Sequence, residues 1–190
     1  MGSTVTLGTS GKIANAYEFS GNKGHVRTEL VHDTTVTISA WGSFTTDADG
    51  MLWSCGINNP DLYFSRGQIA LNTSDGLINL FCDQPENKNE WHHYVTVIDN
   101  TAPKARLYID GLFASDTANY RNPSKDPPFT ISRDSSSAWT GKIDEFRTAN
   151  VVRSAAWIWA SWKNQGANDT FNHYGEVESN VSRGTVYIFW

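Results

Sequence analysis

The sequence predicts an all-β domain, a two-sheet antiparallel sandwich with one short C-terminal helix. Three observations carry this. Apolar and β-branched residues alternate in short runs, turn-forming clusters separate those runs at the spacing of a sandwich, and a single late segment has helical character. The alternating runs fall at 5–7, 16–19, 36–41, 52–55, 68–72, 77–81, 92–98, 105–109, 129–132 and 143–147. Between them stand Ser20-Gly21-Asn22, Asp47-Ala48-Asp49-Gly50, Asn58-Asn59-Pro60-Asp61, Ser74-Asp75-Gly76 and Asp99-Asn100, residues that bond their own backbone or tolerate positive φ. Asp110-Gly111 is the sharpest local signal, because both residues accept the conformation of a type I′ turn and so join 105–109 to Leu112-Phe113-Ala114 as a hairpin.

Residues 154–164 read as the helix. Ser154 can cap it, Ala155 and Ala156 favour it, and Ile158 and Trp162 form an i,i+4 apolar pair. Trp157 and Trp162 are expected to pin it to the sheet. Residues 166–172 form a polar linker and 184–190 return to a strand-like pattern, so the domain is expected to occupy 1–165 and a linker with a tail strand 166–190.

Composition narrows the function. With 190 residues the chain suits one sandwich with its own core. Aromatic residues make up 13%, including 8 Trp, against 18% charged, and the net charge of −5 has no basic block within it. That excludes a phosphate-tracking surface and disfavours an anionic membrane as partner. No apolar run approaches the roughly 20 residues that span a bilayer. No signal peptide opens the sequence, and Met1-Gly2-Ser3 look like an appended start that replaced one. Cys55 and Cys82 fit neither a zinc motif nor a redox pair, and either form a disulfide or are two buried thiols.

Four segments together resemble the laminin G-like, concanavalin A-like jelly-roll family of bacterial surface proteins, related to the pentraxins. They are Gly11-Lys12-Ile13-Ala14-Asn15-Ala16-Tyr17-Glu18-Phe19-Ser20-Gly21; Thr37-Ile38-Ser39-Ala40-Trp41; Glu90-Trp91-His92-His93-Tyr94-Val95 running on to Leu107-Tyr108-Ile109-Asp110-Gly111; and Ile131-Ser132-Arg133-Asp134 with Gly141-Lys142-Ile143-Asp144-Glu145-Phe146-Arg147. The match departs at Gly42-Ser43-Phe44 and at Trp159, where a subset of envelope proteins carries a polar residue. The resemblance implies a two-sheet jelly roll, an extracellular, periplasmic or cell-surface location, and a lectin or adhesion role towards a glycan or surface polysaccharide. A protein partner is the alternative, in which the domain serves as a spacer of a larger envelope protein. Nucleic acid and membrane insertion are not expected.

Catalysis is not expected either. Glycosidases on such folds need two carboxylates that converge on one face. Asp144 and Glu145 are adjacent and point to opposite faces, while Glu176 and Glu178 lie in the tail. His92 and His93 have no Ser or Cys nucleophile motif beside them and read as structural, one inside the sheet and one outside. The resemblance suggests Ca2+ at Asp144, and at Asn58, Asn59 and Asp61 with Asp134, although the same residues also serve simply as turn-formers. Sugar rings stack on exposed aromatic faces beside polar groups. Tyr63, Tyr120, Arg121, Asn122 and Trp139, with Trp53, are therefore the expected carbohydrate-binding residues, and Trp41 and Trp91 are expected in the core.

Overall fold

Period-two alternation buries one side of each strand, and two sheets facing each other satisfy that demand. The computed structural model describes residues 4–20, 24–31, 35–44, 50–55, 61–72, 78–87, 89–118, 120, 128–133 and 138–171. Its strands are β1 (Thr4–Ser10), β2 (Asn15–Ser20), β3 (His25–Arg27), β4 (Val36–Phe44), β5 (Gly50–Ser54), β6 (Asp61–Ser65), β7 (Gln68–Asn72), β8 (Ile78–Asp83), β9 (His92–Asp99), β10 (Lys104–Ile109), β11 (Leu112–Thr117), β12 (Thr130–Ser132) and β13 (Gly141–Ala149), followed by α1 (Ala155–Gly166) and α2 (Asn168–Phe171). A seven-stranded sheet runs β1-β2-β13-β4-β9-β10-β11 and faces a six-stranded sheet β3-β12-β5-β6-β7-β8. The neighbouring strands pair antiparallel. The expected sandwich and its late helix are both present.

The inner core is aromatic. Phe44 stacks on Trp139 at 3.7 Å between ring centroids, and Phe64 stands edge-on to Trp139 and Tyr94 at 5.1 Å each. Such pairs add about 0.5–1.5 kcal/mol each beyond their burial. Val36, Ile38 and Ala40 of β4 and Tyr94 and Ile98 of β9 face this core. The alternate positions, Thr37, Ser39 and Trp41 of β4 and His93, Val95 and Val97 of β9, face outward and are buried too. Helix α1 covers them. Its Ile158 packs with Val95, Val97 and Tyr108 in a second, smaller core.

Local chemistry fixes the elements. Ser154, in extended backbone, accepts the Trp157 N–H at 3.2 Å and caps α1 as expected. Asp110 (φ 51°) and Gly111 (φ 76°) make the expected hairpin turn. Two strands escape the sequence reading. β6 follows Pro60 inside a segment that reads as a turn, and its return to β7 uses Arg66-Gly67 (φ 50° and 82°), a turn pair that lacks the usual Asn or Asp. β3 is only three residues long. Cys55, at the end of β5, and Cys82, in β8, are separated by β6 and β7, roughly 14 Å at the usual strand spacing, and are free thiols. Residues 184–190 lie outside the described residues.

Two positive-φ glycines separate conformational freedom from space. A Cβ on Gly141 (φ 141°) would sit 2.0 Å from the Ser43 carbonyl oxygen, whereas one on Gly67 (φ 82°) would meet nothing within 4 Å. Gly67→Ala is expected to cost about 1–2 kcal/mol from backbone strain alone. Gly141→Ala should cost clearly more, on the order of 3 kcal/mol or above, since β13 must move away from β4. Urea denaturation midpoints of the two variants test the ranking, and equal losses would contradict it.

Two buried groups titrate in opposition. Burial pushes the Asp61 carboxyl from 3.8 up to about 6, despite hydrogen bonds from the Cys55 N–H and Ser54 and the nearby Arg133. Burial pushes His93 from 6.5 down to about 4, with Asp110 opposing and Arg147 reinforcing the shift. Between pH 4 and 6 folded Asp61 keeps a proton that the unfolded chain releases, so its contribution falls as pH rises. Folded His93 stays neutral where the unfolded chain takes up a proton, so its contribution grows as pH rises. Asp61→Asn removes the first and leaves the second. The variant's denaturation midpoint should therefore climb more steeply from pH 4 to 6 than the parent's, and superimposable profiles would refute the assignment.

Candidate functional site

The helix returns across the outer face of the seven-stranded sheet, and its C-terminal end opens a cleft of about 220 Å³ there. Three tryptophans from distant segments line it: Trp41 of β4, Trp91 just before β9, and Trp162 of α1. Trp41 forms the buried floor and Trp91 and Trp162 are half-exposed. The Trp41 Nε1 donates to Gln165 Oε1 at 2.7 Å, and Gln165 Nε2 donates to Ser161 Oγ at 2.8 Å, which locks floor to helix. A Cβ on Gly166 would approach Trp41 Cη2 to 2.9 Å, so glycine lets the helix end lie directly on the floor ring.

The rim is polar. Lys12 stands with its ammonium 4.9 Å from the Trp41 ring centroid and Lys163 with its own 4.7 Å from Trp162. Glu90, His92 and Asp110 complete the opening. Asp110 is the organiser: its Oδ1 accepts the His93 N–H at 2.9 Å, its Oδ2 contacts His92 Nδ1 at 2.7 Å, and its own N–H donates to the His93 carbonyl at 2.9 Å. His92 Nε2 also lies 3.0 Å from the Asn87 carbonyl, an arrangement that a doubly protonated ring satisfies. Burial opposes that charge, but the bonds to Asp110 and Asn87 and the attraction of Asp110 and Glu90 outweigh it and raise the His92 pKa. The result ties His92 and Asn87, and with them Trp91, to the β10–β11 hairpin.

Asp144 also serves this site. It opposes Trp41 directly in the β13–β4 register. Its Oδ2 accepts the Lys12 and Ile13 N–H groups at 2.9 and 3.0 Å, and its Oδ1 the Glu145 N–H at 2.8 Å. A Cβ on Gly11 would fall 2.5 Å from Oδ2, which requires glycine at that bend. Three backbone donors thus occupy the carboxylate expected to hold calcium. It anchors the β1–β2 turn and delivers Lys12 to the cleft.

The expected aromatic platform is corrected by burial. Trp53, Tyr120 and Trp139 are core residues, so none offers a ring face to a sugar. Tyr63 is half-buried on β6. Asn58, Asn59, Arg121, Asn122 and Asp134 lie outside the described residues. Asp61 is buried, accepts the Cys55 N–H at 3.0 Å and stands 3.8 Å from Arg133, on the opposite sheet from Asp144. Among the described residues no group of three or more His, Cys, Asp or Glu side chains is arranged to hold a metal ion. Trp91 is not a core residue, and Trp157 does not pin the helix but stays exposed beneath the Arg153 guanidinium. His92 stands at the rim; His93 faces out of the sandwich yet is buried beside Trp41, at 5.1 Å between rings.

A second opening of about 210 Å³ lies between the sheets, with Tyr17, Leu30 and Phe146 on its walls and Asn15 and Thr28 at its polar edge. Its partly exposed rings are Tyr17 and Phe146, and among the described residues it lacks the charged lysine rim that surrounds the tryptophans of the cleft.

Residues 20–159 match the family described as the concanavalin A-like lectin/glucanase superfamily. No curated protein matches the chain. Among solved structures, the chain is similar to the heptameric SAP-like pentraxin of Limulus polyphemus, with a TM-score of 0.64 at 12% identity over 79% of this chain and 81% of that one. It is also similar to domain 4 of an extracellular arabinanase from Geobacillus stearothermophilus, solved with arabinotriose, with a TM-score of 0.65 at 16% identity over 83% and 81%. A third is the sialidase carbohydrate-binding domain of Ruminococcus gnavus bound to α2,3-sialyllactose, with a TM-score of 0.56 at 14% identity over 74% and 96%. Likenesses at this identity establish the fold.

Proposed function

The chain belongs to the concanavalin A-like lectin/glucanase superfamily, and from that premise we propose that it is a non-catalytic carbohydrate-binding module of a secreted or cell-surface protein, with the tryptophan cleft as its glycan site. The observation that carries the reading is the half-exposed pair Trp91 and Trp162 above the Trp41 floor, ringed by Lys12, Glu90, His92 and Lys163. Apolar sugar faces stack on such rings, and hydroxyls take hydrogen bonds from such a rim. Two structural neighbours, the arabinanase domain and the sialidase domain, were solved with arabinotriose and sialyllactose, which adds support. Among the described residues no helix is long and apolar enough to cross a membrane.

Binding without cleavage is supported by how the carboxylates at the cleft are used. Asp110 has both oxygens committed to His92 and the His93 N–H, and Asp144 has both committed to backbone N–H groups. Among the described residues that line the cleft, Glu90 is the remaining carboxylate, and glycoside cleavage requires two that converge.

Glycan-array screening followed by titration calorimetry tests the reading. Trp162→Ala is expected to weaken binding roughly tenfold or more, the loss of about 1.4 kcal/mol in keeping with one stacking contact. A melting curve confirms that the variant remains folded. Absence of binding to every plant, microbial and sialylated glycan would overturn the proposal. The same titration in chelator tests calcium support: loss of binding would show that an ion is required, and unchanged binding would remove calcium from the proposal.

A further inference from the structure

The tryptophan cleft is small, and its charge runs against that of the molecule. Its volume of about 220 Å³ lies below the roughly 300–1,000 Å³ of pockets for drug-sized ligands, so it suits a single sugar ring with its substituents. The chain carries a net charge of −5, whose field repels anions at a distance. Among the described residues that line the cleft, the charged groups are Lys12, Lys163, His92, Glu90 and Asp110. Asp110 and protonated His92 cancel one another through their 2.7 Å contact. Two ammoniums and one carboxylate are left to face a ligand.

Burial decides between them. Glu90 is exposed, whereas Lys12 and Lys163 are half-buried. Water and salt screen an exposed charge, and a half-buried one keeps more of its field. Both ammoniums are also held in place. Asp144 accepts the Lys12 N–H at 2.9 Å, and the Lys12 ammonium stands 4.9 Å from the Trp41 ring centroid. Lys163 lies in the last turn of α1, where its carbonyl accepts the Ala167 N–H at 2.9 Å and its ammonium stands 4.7 Å from the Trp162 ring centroid. A ring face attracts a cation without neutralising it, so each lysine keeps its charge for an anion. A carboxylate is the sugar substituent that answers both, since it offers two acceptor oxygens and its bonds to ammonium are charge-assisted.

We propose that the cleft selects acidic glycans, holding a sugar ring against its tryptophans while Lys12 and Lys163 together bind the carboxylate that the ring carries. This selectivity rests on the glycan reading of the cleft and adds the class of sugar to it. Uronic and sialic acids both present such a group. A ring bearing only hydroxyls would dry two half-buried ammoniums without supplying a countercharge, which costs free energy that the acidic ring recovers.

Ligand pairs that differ only in the acid group test it by titration calorimetry. Galacturonic acid oligomers against their carboxyl-reduced counterparts, and sialyllactose against lactose, tell a uronic source from a sialic one. The acid member of a pair is expected to bind about tenfold tighter, the scale of one hydrogen bond to a charged group. The preference should shrink between about 0.1 M and 1 M salt, as the screening length falls from about 10 to 3 Å. Lys12→Met with Lys163→Met should abolish the preference, whereas Lys104→Met, on β10 and paired with Asp116, should leave it. Glu90→Gln should strengthen it, an outcome that a misfolded variant does not imitate. Equal affinity for acid and neutral members, or binding of neutral glycans alone, would overturn the proposal and leave the glycan site standing. So would a preference that Lys104→Met lowers as far as the cleft pair does, because the charge would then act from the molecule at large. Silence across every glycan would remove the site and its selectivity together.

Discussion

The β4–β9 pair at the centre of the seven-stranded sheet is buried on both faces, and the rest of the molecule follows from that constraint. On the inside it meets the Phe44, Phe64, Tyr94 and Trp139 cluster. On the outside Trp41, His93, Val95 and Val97 would face water without α1. A two-sheet sandwich ordinarily leaves its outer faces polar. This one does not, so the chain must return after β13 to cover β4 and β9. Thr37 Oγ1 makes that return specific by donating to the Val151 carbonyl and accepting the Arg153 N–H. The cleft is the by-product: α1 rests on the Gly111 turn and ends over Trp41, which leaves Trp91 and Trp162 at the opening.

The carboxylates that look chemical in the sequence are spent on geometry. Hydrogen bonds to a charged acceptor contribute about 1.5–3 kcal/mol each when buried, and an unpaired buried N–H costs comparably. Asp144 and Asp110 therefore do structural work at the two places where the chain must bend sharply, the β1–β2 turn and the β10–β11 hairpin. Their effect on function is indirect but definite. One places Lys12 over Trp41, and the other draws His92 and the segment carrying Trp91 against the hairpin. The motifs that make the family recognisable in this chain thus encode its bends and registers, and through them the shape of the cleft.

Much of the fold was legible in the sequence because it is written in local chemistry. The alternating runs became strands, Asp110-Gly111 became a hairpin turn, and Ser154 capped a helix. β6 was missed because its turn uses Arg66-Gly67 and its start follows a proline, so neither boundary carries the usual signal. The site was less legible for a different reason. Whether a ring is buried depends on which sheet lies opposite, and nothing local distinguishes Trp139, which fills the core from beside a loop, from Trp91, which lies beside a strand and reaches the surface. Trp41, Trp91 and Trp162 are far apart in sequence and meet only through the β4–β9 pairing and the helix return. One signal was available: Asp110 lies beyond the His92-His93 pair at the distance a β9–β10 hairpin brings together, which marks that corner as an organised one.

The two tryptophan environments of α1 have different physical consequences. At its C-terminal end Trp162 has a lysine over one face, a glycine turn against its edge and polar neighbours within reach, the surroundings of a ring kept partly wet. A ligand there competes with water rather than with protein, and a preformed cleft held by Asp110 and Gln165 lowers the ordering cost of binding. At Trp159 the neighbours are Phe171, edge-on at 5.7 Å, and the Gly111 turn. The same helix therefore carries two unlike surfaces, one rimmed by charge at the cleft and one built from aromatic contacts.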